Sequence, residues 1–152
     1  MKEERGFSYV ELAVALSLLV ILIPAVMSFG LLMESNTKQM IGRQQLMMEA
    51  EAFLADLRNE VRQGTNFRLS KENWLEFDLP SGETVRYRLD KRRIIRSLRG
   101  VDEAQFRGTT ILLHDVYLFN CVPDHKGVEI EIGLQNWESD ITLQTYLRSR
   151  ID

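Results

Sequence analysis

LAVALSLLVILIPAVMSFGLLM, residues 12–33, contains no charged side chain. A helix needs about 20 apolar residues to cross the hydrocarbon core of a bilayer, so this stretch is long enough to span. Thirteen of its positions are Leu, Ile, Val or Phe. At roughly −0.3 to −0.6 kcal/mol each, insertion is favourable by several kcal/mol before Pro24 and the serines at 17 and 28 subtract some. Pro24 and Gly30 kink or loosen such a helix without forbidding it.

The residues just before the span leave three readings open. One is a plain signal anchor. The second is a secretory signal peptide with residues 12–23 as its apolar region. Ala25-Val26-Met27 is a poor small-x-small cleavage site for it, and Lys2 and Arg5 are balanced by Glu3 and Glu4. The third reading turns on Glu11, an acid set directly against the apolar run, where acids are costly and usually functional.

Arg5-Gly6-Phe7-Ser8-Tyr9-Val10-Glu11-Leu12 resembles the type III signal of prepilins: a short charged leader, Gly, Phe, three residues, Glu, then an apolar helix. The resemblance implies cleavage between Gly6 and Phe7 by a membrane aspartyl peptidase that also N-methylates Phe7. Cleavage would create a cationic amine at Phe7, four residues from Glu11 on the same helix face. In a filament, Glu11 would then take the Phe7 amine of a neighbour as the partner a buried carboxylate needs. Many members of that family carry their helix-loosening proline a few residues later than Pro24.

Beyond Glu34 the composition turns polar, yet the helix need not end. Met40, Met47, Leu54, Leu57 and Val61, joined by Ile41 and Phe53, recur at helical spacing with charged residues between them. Gly64 supplies a stop. One helix over about 8–63 is expected, with a lipid-facing half and an amphipathic half that forms a core stripe under a sheet. Strands follow. Residues 74–79 alternate poorly, Pro80-Ser81-Gly82 is a turn, and Val85, Tyr87 and Leu89 alternate with Arg86 and Arg88. Asp90-Lys91 closes a hairpin to Ile94-Ile95. Residues 100–110 read as a loop, 116–122 as a central strand and 123–127 as a turn. Val128, Ile130, Ile132 and Leu134 alternate cleanly, and Ile141 to Leu147 close the set. A long helix followed by an antiparallel sheet is an α+β arrangement. The organisation expected is a leader at 1–6, a transmembrane and assembly helix at 7–33, and an extracytoplasmic domain at 34–152. Within that domain the amphipathic helix is 34–63 and the sheet region 66–150.

The run Val85-Arg86-Tyr87-Arg88-Leu89, then Ile94-Ile95-Arg96, Leu113 with Val116 and Phe119, the Val128 strand and Tyr146-Leu147-Arg148 resembles the minor pseudopilins of the J type. In length and ending the chain is more similar to the F-type competence pseudopilins of Gram-positive bacteria. The resemblance implies a structural, non-enzymatic minor subunit of a DNA-uptake pseudopilus. Its neighbours are a minor pseudopilin of a secretion or pilus system, a major pilin, and an anchored module that binds DNA or cargo. Implied partners are the prepilin peptidase and methylase, other pilin-like subunits and membrane lipid, with DNA reached indirectly. Implied placement is a single-pass cell-membrane protein, exposed at the cell surface when assembled. No cofactor is expected.

The formal net charge of −3 argues against a general nucleic-acid binder. Cys121 is the single cysteine, so no intramolecular disulfide can form; on its apolar strand it reads as buried packing, with an intersubunit disulfide as the other reading. The pairs His114-Asp115 and Asp124-His125 lack a third ligand or a nucleophile and read as turn and surface residues. One basic run stands out: Arg86, Arg88, Lys91, Arg92, Arg93, Arg96 and Arg99 against Asp90 alone. It would touch DNA phosphates, pair across the sheet with acids such as Glu129 and Glu131, or dock on an acidic face of a neighbouring pilin. Tyr87 points with the core residues and no other aromatic is interleaved on the basic face, which lowers base stacking as an option.

Overall fold

The computed structural model describes residues 8–150. The chain forms two compact units, one running to Gln39 and the other from Met40 onward. A single helix, α1 (Tyr9–Gln63), contributes to both, and eight strands follow it.

In the first unit every described residue is exposed. Among the described residues, α1 is the one helix long and apolar enough to cross a membrane. Pro24 lies inside it without ending it. Ser17 donates its hydroxyl to the carbonyl of Val14 at 2.8 Å, and Thr37 to that of Met33 at 2.8 Å. Such back-bonding satisfies a hydroxyl that the surroundings do not.

The second unit is a helix on two antiparallel sheets. The five-stranded sheet runs β1 (Thr65–Leu69), β2 (Leu75–Asp78), β3 (Thr84–Asp90), β4 (Arg93–Arg99) and β5 (Arg107–Leu113), in chain order. The three-stranded sheet runs β6 (Val116–Asp124), β7 (Gly127–Gln135) and β8 (Asp140–Arg148). Helix residues Leu46, Ala50, Phe53, Leu57 and Val61 form one buried stripe at three- and four-residue spacing. Phe53 reaches both sheets, with edge-on ring contacts to Tyr87 and to Phe119, each at 6.3 Å between centroids. Phe77, Val85, Tyr87, Val128, Ile130, Ile132 and Leu134 complete the core.

Several expectations need correction. Met40 and Ile41 are exposed and the buried stripe starts at Gly42 and Leu46, whereas Phe53, Leu54, Leu57 and Val61 are buried as expected and Met47 packs against the core. The sheet is divided in two, and the sheet region begins at Thr65. Residues 107–113 are an edge strand and only 100–106 are loop. The strand was hidden because five of its seven residues are exposed and carry no alternation. β6 continues through Pro123 to Asp124 and lies at an edge rather than the centre, a place where proline costs no ladder bond. β2 alternates poorly for a physical reason: both of its faces are covered, and even Glu76 is buried.

Gly64 ends the helix as expected, its N–H bonding the Val61 carbonyl at 3.1 Å. A β-carbon there would stand 2.6 Å from the Phe77 ring, so close approach to the core also requires glycine. Cys121 is buried in the core, and burial pushes its thiol up to about 12. His114, Asp115, Asp124 and His125 lie exposed at strand ends and connections.

Candidate functional site

Two sets of residues carry the functional expectations. The first is the start of α1. Gly6 and Phe7 lie outside the described residues. Ser8 is the N-cap and Glu11 the third helical residue, and a Glu Oε2 accepts the Ser8 backbone N–H at 2.9 Å. This is one arm of a capping box, which satisfies one of the donors a helix start leaves open. The Ser-x-x-Glu spacing was legible in the sequence. Glu11 therefore has a local partner within its own chain, alongside any role it takes toward a neighbour.

The second set is the basic run, which the hairpin of β3 and β4 divides between two faces. Register pairs Tyr87 with Arg96 and Arg86 with Ser97. Arg96 therefore faces α1, and Arg86, Arg88, Arg93 and Arg99 face away from it. Arg96 donates from Nε to Glu60 Oε1 at 2.9 Å. The Tyr87 hydroxyl donates to the other Glu60 oxygen at 2.7 Å. Burial, reinforced by the Glu60 charge, raises the Tyr87 phenol well above its ordinary range. This trio ties helix to sheet and is closed to any outside ligand at Tyr87, which is buried.

The outward face is a layer of guanidinium groups and acids. Arg86 pairs with Glu76 through Nη2 at 2.7 Å and Nε at 2.8 Å. Arg68, from β1, grips Asp78 with both Nη atoms at 3.0 Å. That grip, helped by Asn66 and Thr84, outweighs partial burial and holds the Asp78 carboxyl down at about 2. The expected partners Glu129 and Glu131 belong to the other sheet. Glu129 instead accepts from Gln144 at 2.8 Å. The acid that neutralises Arg86 comes from β2, the direct neighbour of β3, and the one that neutralises Arg96 comes from α1.

Aromatics are interleaved on this face after all. The Arg86 guanidinium lies 3.5 Å from the Phe106 ring centre and 4.9 Å from that of Trp74. Arg88 lies over Trp74 at 5.4 Å and Arg99 over Phe106 at 4.9 Å. Trp74 precedes β2 and Phe106 precedes β5, so neither shows in the alternation of β3 and β4. Only their position in the sheet brings them across. The Nε atoms of Arg88 and Arg93 are buried without a hydrogen-bond partner.

Lys91 and Arg92 form the turn of the hairpin, both exposed. Arg92 donates from Nη2 to the carbonyl of Gln135 at 2.6 Å and approaches Asp115 at 4.0 Å. The seven basic residues are thus not one site. They form an inward tie at Arg96, an outer layer in which Glu76 neutralises Arg86 while Arg99 meets only the Thr84 hydroxyl and the Phe106 ring, and an end made of Arg88, Lys91, Arg92 and Arg93. No known protein family matches this chain, and no curated protein matches it in sequence.

Proposed function

We propose that this chain is a membrane-anchored structural subunit of a pilin-like assembly, and that it is not an enzyme. The observation that carries this reading is the conjunction at α1. An apolar stretch exposed on every side leads into an amphipathic stretch that is the core of a helix-on-sheet domain. A helix that is apolar all round needs lipid or a partner helix around it. A subunit that leaves the bilayer for a filament would use both in turn.

The Gly6-Phe7-x-x-x-Glu11 spacing directly before the span supports processing at Phe7 and a role for Glu11 in assembly. In the filament, the Phe7 amine of an adjacent subunit would replace the Ser8 N–H as the stronger partner, because a charge-assisted bond is roughly twice as strong as a neutral one. The finer reading is a minor pseudopilin of a competence pseudopilus, with a secretion or pilus system as its neighbour. On that reading the domain faces the outside of the cell membrane and its partners are other pilin-like subunits. DNA is reached through them, since the outer layer at Arg86 is already neutralised by Glu76.

N-terminal mass analysis of the membrane fraction tests the proposal. The mature chain is expected to begin at Phe7 and to carry an N-methyl group. A chain retaining Met1, or starting near Ser28, would overturn it.

A further inference from the structure

The five-stranded sheet ends on β5, whose outer row of backbone N–H and C=O groups pairs with no other strand. Folded proteins commonly shield such an edge with charge, proline or a bulge. Two of the other sheet edges are shielded in this way: β1 has an irregular register and carries Arg68, and β6 carries Pro123. In β5 the shielding is confined to its start, where Gly108 sits at a φ of 72° and the register to β4 shifts. From Thr109 to Leu113 the strand has neither charge nor proline, and Thr109, Thr110 and Ile111 are exposed.

Between β5 and α1 is an open groove of about 480 Å³. Its helix wall is Asp56, Asn59 and Glu60, and its sheet wall is Arg96, Thr110 and Leu112. We propose that β5 and this groove take up an extended basic segment of another polypeptide, which adds a strand to the sheet and lays lysine or arginine side chains along α1. Main-chain pairing to an open edge supplies affinity, and pockets beside the edge select alternate side chains of the added strand. Every residue this uses lies in the domain from Met40 onward, so the inference goes beyond the proposed function and stands independently of the membrane span.

Charge decides what the groove selects. Glu60 already holds Arg96 and the Tyr87 hydroxyl, so the Glu60 and Arg96 charges cancel. Asp56, one turn earlier, has no hydrogen-bond or ion-pair partner among the described residues. Glu49 lies two turns before Asp56 on the same side of α1, and its partner is the neutral amide of Gln45 at 3.1 Å. Arg107, at the start of β5, is held by Glu103 at 2.9 Å. Arg58 and Arg62 project from other sides of the helix. The flank of α1 beside β5 is thus left with two carboxylates, Asp56 and Glu49, that no cation of the chain compensates. On the other face of β5, Ile111 is 41% exposed, so the residues between the incoming cations would be apolar or β-branched. A second copy of this chain suits the site poorly. Paired through its own β5 it would offer Thr110 and Leu112 to the groove, and no cation.

The full chain in detergent micelles, mixed with a synthetic peptide of about seven residues that alternates lysine with valine, tests this. Hydrogen exchange resolved along the chain is the readout. Excess peptide is expected to slow exchange across residues 107–113 by about threefold or more and to leave 140–148, the outer strand of the other sheet, unchanged. The apparent affinity should fall about threefold in Asp56→Asn, the loss of one exposed ion pair. Binding should be lost when glutamate replaces lysine in the peptide, and when the peptide amides are N-methylated. An absence of protection at 107–113 overturns the inference. Equal protection by the glutamate peptide, an affinity unchanged in Asp56→Asn, or protection confined to 140–148 overturns it as well. Protection of 107–113 that grows with protein concentration in the absence of peptide overturns it in favour of a second copy.

Discussion

Leu31 and Leu57 belong to the same helix, yet one is 68% exposed and the other wholly buried. The difference lies in what surrounds them in sequence. Around Leu31 the apolar residues cover the whole circumference, so no polar face remains to turn toward water. Around Leu57 they form a stripe at 46, 50, 53, 57 and 61, with Arg43, Glu51, Asp56 and Arg58 exposed on the other sides. A stripe can be buried by one domain, and a full cylinder needs a surrounding apolar medium. Hydrophobicity as composition and hydrophobicity as pattern thus assign two solvents to one helix.

Leucine truncation tests this comparison with the largest expected effect. Leu57→Ala leaves a cavity in the core between helix and sheets, and should lower domain stability by about 2–5 kcal/mol. Leu22→Ala should leave the unfolding midpoint of the domain unchanged. Denaturant unfolding of the full chain in detergent micelles measures both, and equal losses would break the comparison. Polar ties give a smaller contrast. Glu60→Ala leaves the Tyr87 hydroxyl and the Arg96 guanidinium without their acceptor, a loss of about 1–3 kcal/mol. Glu11→Ala removes only a capping contact to Ser8, so it should fray the first turn and spare the domain. Hydrogen exchange resolved along the chain would separate the two. A domain-wide rise in exchange with Glu11→Ala would contradict the assignment.

Acid separates the regions by the smallest margin. Residues 12–33 hold no titratable side chain. In the domain, Asp78 is held at about 2, below the ~3.9 of an unstructured aspartate. A depressed carboxyl stabilises the fold above its unfolded value, and that stability is lost as pH falls from about 4 toward 2. Asp78 is partly exposed, so the amount after screening is about 1–2 kcal/mol. Melting temperature against pH should show this loss, and Asp78→Asn should flatten it. An unchanged profile would mean that Arg68 contributes little.

Much of this was legible from residues alone. The uncharged run fixed the exposed part of α1, because length and charge decide it without reference to any contact. The helix end at Gly64, the turn at Pro80–Gly82 and the alternation of β3 and β7 follow from local periods and backbone preferences. The capping role of Glu11 was also within reach, in the spacing of Ser8 to Glu11.

What only the tertiary structure decided is who meets whom. The division into two sheets separates Glu129 and Glu131 from the arginines and hands Arg86 to Glu76. β5 carries no alternation because five successive residues are exposed, so both of its faces as well as one row of backbone groups stay open along that stretch. Trp74 and Phe106 sit outside the strands whose arginines they cover. Local energetics sets which residues are helix, strand or turn within a few positions along the chain. Partners tens of residues apart are selected only when the whole core closes, and the charged groups then take whichever opposite charge the strand order leaves beside them.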